Sequence, residues 1–311
     1  MTTTSAPPTT STLVTRGARR GGQARSRRRV EPIYFWFLVP TVILFTLAIT
    51  VPAVIGIFFS FTNSIGLGDW QFIGLTNYIA LFSDPLIVQS YLFTFGFSLV
   101  TVIAVNIIAL LLAVALTSRI RLKTPLRTIF VIPMVISAII ISFVFKFLFS
   151  NSLPAFGTIS GIAWLQESIL ANPDWAWLAI VIVTAWQAIP GALLIYIAGI
   201  LSIPGDVYEA ADIDGASKVQ QLTRITIPLM YGYIEINVIL GFKGFLNACD
   251  VIKGLTGGGP GTSTYSIAMT VISGLTTGDY AYQMANATVF FVITILIALL
   301  QLSITRGRNA L

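Results

Sequence analysis

Histidine is absent from this chain and cysteine occurs once, at Cys249. Without histidine there is no imidazole-dependent triad and the commonest zinc ligand is missing; one cysteine allows neither an intrachain disulfide nor a thiolate cage. Charge is scarce as well. Only 10% of the 311 residues are Asp, Glu, Lys or Arg, against about a quarter in an ordinary soluble domain. A carboxylate-only site would have to be assembled from 12 acids spread along the chain, so an autonomous hydrolase or metalloenzyme is not expected, and no catalytic or metal-binding residue is assigned.

What is present is apolar surface. Hydrophobic residues make up 56% of the chain and the mean hydropathy is +0.87. A bilayer core requires about 20 mainly apolar residues per helical span, because each backbone polar group must be hydrogen-bonded within its own segment. Segments 33–61, 91–117, 126–149, 175–201, 227–248 and 284–304 meet that demand. The fold class expected is therefore an all-α polytopic membrane protein with six spanning helices.

The net charge of +6 is distributed by topology. Arg16, Arg19, Arg20, Arg25, Arg27, Arg28 and Arg29 precede the first span, Arg119, Arg121, Lys123 and Arg127 join the second and third, and Arg306 and Arg308 end the chain. All fall on one side, with Lys218 and Arg224. The opposite loops hold Asp69, Asp84, Glu167, Asp174, Asp250 and Asp279, with Lys253 alone against them. The positive-inside rule makes both termini cytoplasmic. The basic balance reads as topology, with membrane lipid and not nucleic acid as the partner. Residues 1–30 are Thr, Ser, Pro and Arg with little to bury, and read as a disordered cytoplasmic tail ahead of a membrane domain over 31–311. Ser26-Arg27-Arg28-Arg29 before an apolar stretch looks like a twin-arginine export signal, but the stretch exceeds a signal's apolar region and lacks an obvious cleavage site.

Between the fourth and fifth spans, at about 202–226, lies Glu209-Ala210-Ala211-Asp212-Ile213-Asp214-Gly215, followed by Ile225-Thr226-Ile227-Pro228. Pro204-Gly205 stops the fourth span, Asp206 is a candidate N-cap, and Glu209 would complete a capping box with it. Gly215 suits a left-handed terminus, and a second short helix is expected over 216–224. The small Ala210, Ala211 and Ala216 would let another protein approach, and Glu209, Asp212 and Asp214 would face a basic rim. A solvated loop whose Glu and Gly serve only its own caps is the plainer reading. A DNA-reading helix-turn-helix is a poor fit, since only Lys218 and Arg224 are there to meet phosphate.

The ordered set of EAA, Gly and Ile-x-x-Pro resembles the EAA loop of ABC-transporter permeases, with Ile227 where that pattern has Leu. Leu255-Thr256-Gly257-Gly258-Gly259-Pro260-Gly261 after Asp250-Val251-Ile252 resembles the outer-loop signature of the carbohydrate-uptake branch. Phe72-Ile73-Gly74-Leu75-Thr76-Asn77-Tyr78, Ile203-Pro204 and Ala285-Asn286-Ala287 agree with it, from the first span to the C-terminus. The loop 62–90 is too short for the large outer domain of the maltose prototype. The resemblance implies a type I importer permease fold, with Glu209, Ala210, Ala211, Asp214 and Gly215 coupling the chain to an ATPase. It also implies a second homologous permease, an ATPase subunit dimer, an extracytoplasmic solute-binding protein and a sugar, by family a di- or oligosaccharide. This chain would bind no cofactor, ATP and magnesium belonging to the ATPase.

The glycine run lacks the Lys of a phosphate-binding loop; a tight turn is its minimum reading, a part in gating or in contact with the binding protein the fuller one. Candidates for the solute pathway are Asn106, Trp186, Gln187, Glu235, Asn237, Asn247 and Asn286, polar or amphipathic positions in or beside spans. The amides equally suit interhelical hydrogen bonds, and Glu235 could pair with a neighbouring subunit. Lys146 and Lys243 would snorkel outward. The alternative from another class is a self-contained ion-coupled carrier using Glu235 or Asp250; against it, no internal repeat is evident.

Overall fold

A computed structural model describes residues 33–118 and 123–308; the basic tail expected over 1–30 lies outside them. The chain divides into a unit ending at Val51 and a second from Pro52 onward. In the first, α1 (Ile33–Phe45) runs into a π turn over Thr46–Thr50. From Pro52 onward α2 (Val51–Phe59) belongs to the second unit, and the stretch Trp36–Phe59 is long and apolar enough to span.

The second unit follows as α3 (Thr76–Ser83), α4 (Pro85–Thr117), α5 (Lys123–Val135), α6 (Ala138–Phe147) and α7 (Leu153–Ser160). Then come α8 (Ala176–Leu201), α9 (Gly205–Ile213), α10 (Lys218–Gln221), α11 (Ile227–Leu229) and α12 (Tyr231–Leu246). It closes with α13 (Asp250–Leu255), α14 (Ile267–Thr277) and α15 (Tyr280–Arg308). Among the described residues the only β-pairing is one isolated bridge, Thr62 with Phe72.

The core is built on α4 and α8. Asp84 caps α4 by accepting from the Leu86 amide at 2.9 Å, and Pro85 occupies the first position, where its missing N–H costs nothing. Ser90, Thr94, Ser98, Thr101, Val105, Ala109 and Ala113 recur every three or four residues on α4 and are all buried. On α8, Ala176, Ala179, Ile180, Val183 and Thr184 do the same. Small residues let two helix backbones approach where lipid offers no hydrophobic driving force of its own.

Two expected spans are not single helices. The third, read as 126–149, breaks at Ile136 and Ser137, where Ser137 adopts φ −57° and ψ 136°. Pro133 within α5 removes a backbone donor and crowds the turn before it. The segment long enough to span is instead Ala138–Ser160, which takes in a π turn at Leu148–Ser152. The fifth, read as 227–248, bends by 68° at Met230, between Lys218–Leu229 and Tyr231–Leu246, which are apolar and long enough to span only when taken together. Pro228 lies two residues before the bend, and Met230 is fully buried. Beneath it, a Cβ on Gly199 of α8 would stand 2.8 Å from the Tyr233 ring and 3.1 Å from Met230. Counting that pair as one, up to six spans are present, in an all-α protein.

The connections at the end opposite α9 are folded. Asn77 donates to the carbonyls of Ser60 at 2.9 Å and Thr62 at 2.8 Å, and the Tyr78 hydroxyl meets Ser60 Oγ at 2.6 Å. The end of α2 is thereby pinned to α3.

Candidate functional site

The segment between α8 and α12 forms a self-contained helical hairpin. α9 begins directly after Pro204 and ends in a Schellman arrangement: the Ala216 amide donates to the Ala211 carbonyl at 2.9 Å and the Gly215 amide to the Asp212 carbonyl at 3.2 Å. Gly215 supplies the required φ of +75°. Asp206 is not the N-cap. Pro204 already directs the chain so that Gly205 is helical, leaving Asp206 in the first turn, where its charge faces the positive helix end. The capping box sits instead at Ser217 and Gln220, with Ser217 Oγ accepting from the Gln220 amide and Gln220 Oε1 from the Ser217 amide. The second helix accordingly starts at Lys218, not Ala216, and continues through a π turn over Leu222–Thr226.

One buried side chain locks the hairpin. Gln221, 4% exposed, donates to Asp212 Oδ1 at 2.5 Å and to the Ala216 carbonyl at 3.2 Å. Lys218 Nζ joins them, 3.0 Å from Asp212 Oδ1 and 3.1 Å from Gln221 Oε1. Tyr208 Oη lies 2.9 Å from Thr226 Oγ1 and ties α9 to the following turn. Of the five residues expected to couple, Ala211 is buried and anchors α9, whereas Glu209, Ala210, Asp214 and Gly215 are exposed. Ile213, 87% exposed, and Val219, 70%, stand on the same hairpin. Sequence reasoning passed over both, since an apolar residue in an apolar chain is no signal, and passed over Gln221, whose partner lies nine residues away.

The pathway candidates separate into two groups. Asn106 and Asn237 are held in the core: Tyr196 Oη donates to Asn106 Oδ1, Asn106 donates to the Val102 carbonyl, and Asn237 donates to the Ala192 carbonyl at 3.1 Å. Asn286, fully buried, donates to Thr270 Oγ1 at 3.0 Å and accepts from Tyr91 Oη at 3.1 Å. Asn247 lies just past the end of α12, its amide on the Lys243 carbonyl at 2.9 Å. These amides join helices or close a helix end.

Trp186 and Gln187 belong to the second group. Gln187 donates to the Ile136 carbonyl at 3.0 Å, which α5 leaves without a helical partner at its break. The Trp186 ring, 39% exposed, lies 5.3 Å from that of Phe145 on α6. Ser137 beside them is exposed. Glu235 on α12 is half-buried, and Asp250 is exposed in the first turn of α13.

The glycine motif at the far end is a packed turn. Gly257, Gly258 and Gly261 have φ of +63°, +93° and +59°, and a Cβ on Gly258 would stand 2.3 Å from the Tyr265 ring. Thr264 Oγ1 donates to the Gly259 carbonyl at 2.7 Å, and Thr262 Oγ1 reaches Gln89 on α4 at 3.1 Å. Burial and the neighbouring Asp250 hold the Cys249 thiol above its usual pKa, with Lys253 partly opposing them, so this cysteine is poorly disposed to act as a thiolate.

Residues 105–310 match the family of binding-protein-dependent transport system inner membrane components. The multiple sugar-binding transport system permease protein MsmF of Streptococcus mutans is 32% identical over 283 residues, covering 90% of this chain and 98% of its own. The trehalose/maltose transport system permease protein MalF of Thermococcus litoralis is 34% identical over 239 residues, covering 76% and 81%. In fold the chain is similar to a crystal structure of a bacterial ABC transporter involved in alginate import, with a TM-score of 0.78 at 22% identity over 88% of this chain and 95% of that one. The fold is that of an ABC importer permease, and the protein is a multi-pass component of the inner membrane. This chain belongs to the binding-protein-dependent transport system inner membrane component family, the transport subunits whose EAA loop its residues 209–228 resemble.

Proposed function

We propose that the chain is one of two paired permeases in an ATP-driven importer that takes a di- or oligosaccharide from an extracytoplasmic binding protein. The observation that carries this is the α9 hairpin. It is braced internally through Gln221, Asp212 and Lys218, while Glu209, Asp214 and Ile213 are exposed among the described residues. A rigid knob with an apolar tip and acidic flanks suits a cleft on a partner ATPase. Closure of an ATPase dimer would draw two such knobs together, and α10 to α12 would carry the motion through the bend at Met230. Both termini and the hairpin are then cytoplasmic, consistent with the distribution of Arg and Lys.

Gln187 and Trp186, beside the break at Ile136, support a solute pathway on that side of the chain. Gln187 keeps its amide oxygen for a solute hydroxyl, and the exposed part of Trp186 offers a ring face. Mass spectrometry of what co-purifies with the full chain from native membranes tests the assembly. A second six-span protein and an ATPase are the expected result, with the ATPase lost in Ile213→Asp. A chain recovered alone that accumulates sugar in liposomes under an ion gradient without ATP would overturn it.

A further inference from the structure

Away from the bend and the hairpin, the connection between α7 and α8 borders an open cavity of about 530 Å³. It lies between two 3₁₀ turns, Ala163–Leu165 and Ile169–Ala171, and the first turn of α8. Two indoles line it, Trp164 at 78% exposure and Trp175 at 54%, together with Glu167, Ser168 and Asn172. Asn172 Oδ1 accepts from the Asp174 amide at 2.8 Å, leaving its amide hydrogens available, and Ser168 Oγ accepts from the Leu170 amide at 3.3 Å. Glu167 is exposed and has no hydrogen bond or ion pair among the described residues. From Leu153 to Leu178 there is no Lys or Arg.

We infer that this cavity is a receiving subsite for a neutral saccharide, set at the outer mouth of the permease before the membrane pathway. The volume falls within the roughly 300–1,000 Å³ that small-molecule sites occupy. Ring faces carry negative quadrupolar charge and suit the C–H face of a pyranose, while carboxylate and amide match hydroxyl donors and acceptors. The same carboxylate, with exposed Asp174 close by in sequence and no cation in the segment, opposes uronates, sulfonates and phosphate esters. The inference rests on the permease reading for which side of the membrane this connection faces; the binding of sugar by the cavity does not.

The experiment is saturation-transfer NMR on the full chain in lipid nanodiscs, with maltotriose and digalacturonate as probes. Transfer to maltotriose ring protons, weakened at least tenfold in Trp164→Ala/Trp175→Ala and much weaker for digalacturonate, is the expected result. Glu167→Gln should narrow the gap between the two sugars. The exposure of both indoles means that the double variant keeps its fold, which an unchanged thermal melt verifies. Absence of transfer to maltotriose, transfer undiminished in the double variant, or equal transfer to digalacturonate overturns the subsite. If those failures occur in a chain that still co-purifies with its ATPase, the permease reading stands and only the subsite falls.

Discussion

Gly215 carries two separable demands. Its φ of +75° costs a residue with a Cβ about 1–2 kcal/mol, yet an added Cβ meets nothing within 4 Å. Gly215→Ala therefore tests strain alone, and Gly215→Arg adds bulk and charge on the exposed face. The alanine variant should keep most ATP-driven uptake in reconstituted complexes, the arginine variant should lose more than tenfold, and both should insert in the membrane normally. Equal uptake by the two would remove the docking role from this position. Glu209 and Asp214 are exposed in the same way, whereas Asp212, two residues before Asp214 and identical in type, serves the hairpin's own integrity.

At the scale of elements, α13 makes the tightest glycine contact among the described residues. It lies across α6 with Gly254 directly over Ser142, so that a Cβ there would stand 1.7 Å from Ser142 Oγ and 2.7 Å from its Cβ. Gly254→Ala must push the two helices apart, at a cost of about 1–3 kcal/mol for overpacking. Ser142→Gly in the same chain removes both opposing atoms. Thermal melts in detergent should show a lower midpoint for the single variant and substantial recovery in the double; no recovery would mean that the strain lies elsewhere. The glycine motif follows directly on α13, which gives it a structural task. Its Tyr265 fills the space that a side chain at Gly258 would need.

Across the whole molecule, buried amides tie remote segments together. Asn286 on α15 bridges Tyr91, 195 residues away on α4, and Thr270 on α14; close by, the Tyr282 hydroxyl donates to Asp84 at 2.9 Å. Asn286→Leu keeps the volume and leaves these polar groups unpaired, at about 1–3 kcal/mol for each one that finds no other partner. It should lower the melting midpoint of the purified chain more than Asn247→Leu does, since Asn247 is exposed and bonds only within its own helix. The reverse order would remove Asn286 from the structural group and return it to the solute pathway.

Composition, hydropathy and the position of charge sufficed for an all-helical membrane protein, because the bilayer imposes its length and hydrogen-bond rules on each span separately. The hairpin between α8 and α12 is legible for a similar reason: the left-handed turn at Gly215 obeys local rules that act within a few residues. Where Asp206 was misjudged as a cap, a local competitor decided, Pro204 having set the helix start one residue earlier. Long-range packing decided the rest. The bond from Gln187 to the Ile136 carbonyl, the sorting of the asparagines and the cavity beneath Trp164 all depend on atoms brought together from separate stretches of the chain. A hydropathy window assigns Asn106, Gln187 and Asn286 the same character; only the packed helices determine which amide is consumed by the core and which remains open to a solute.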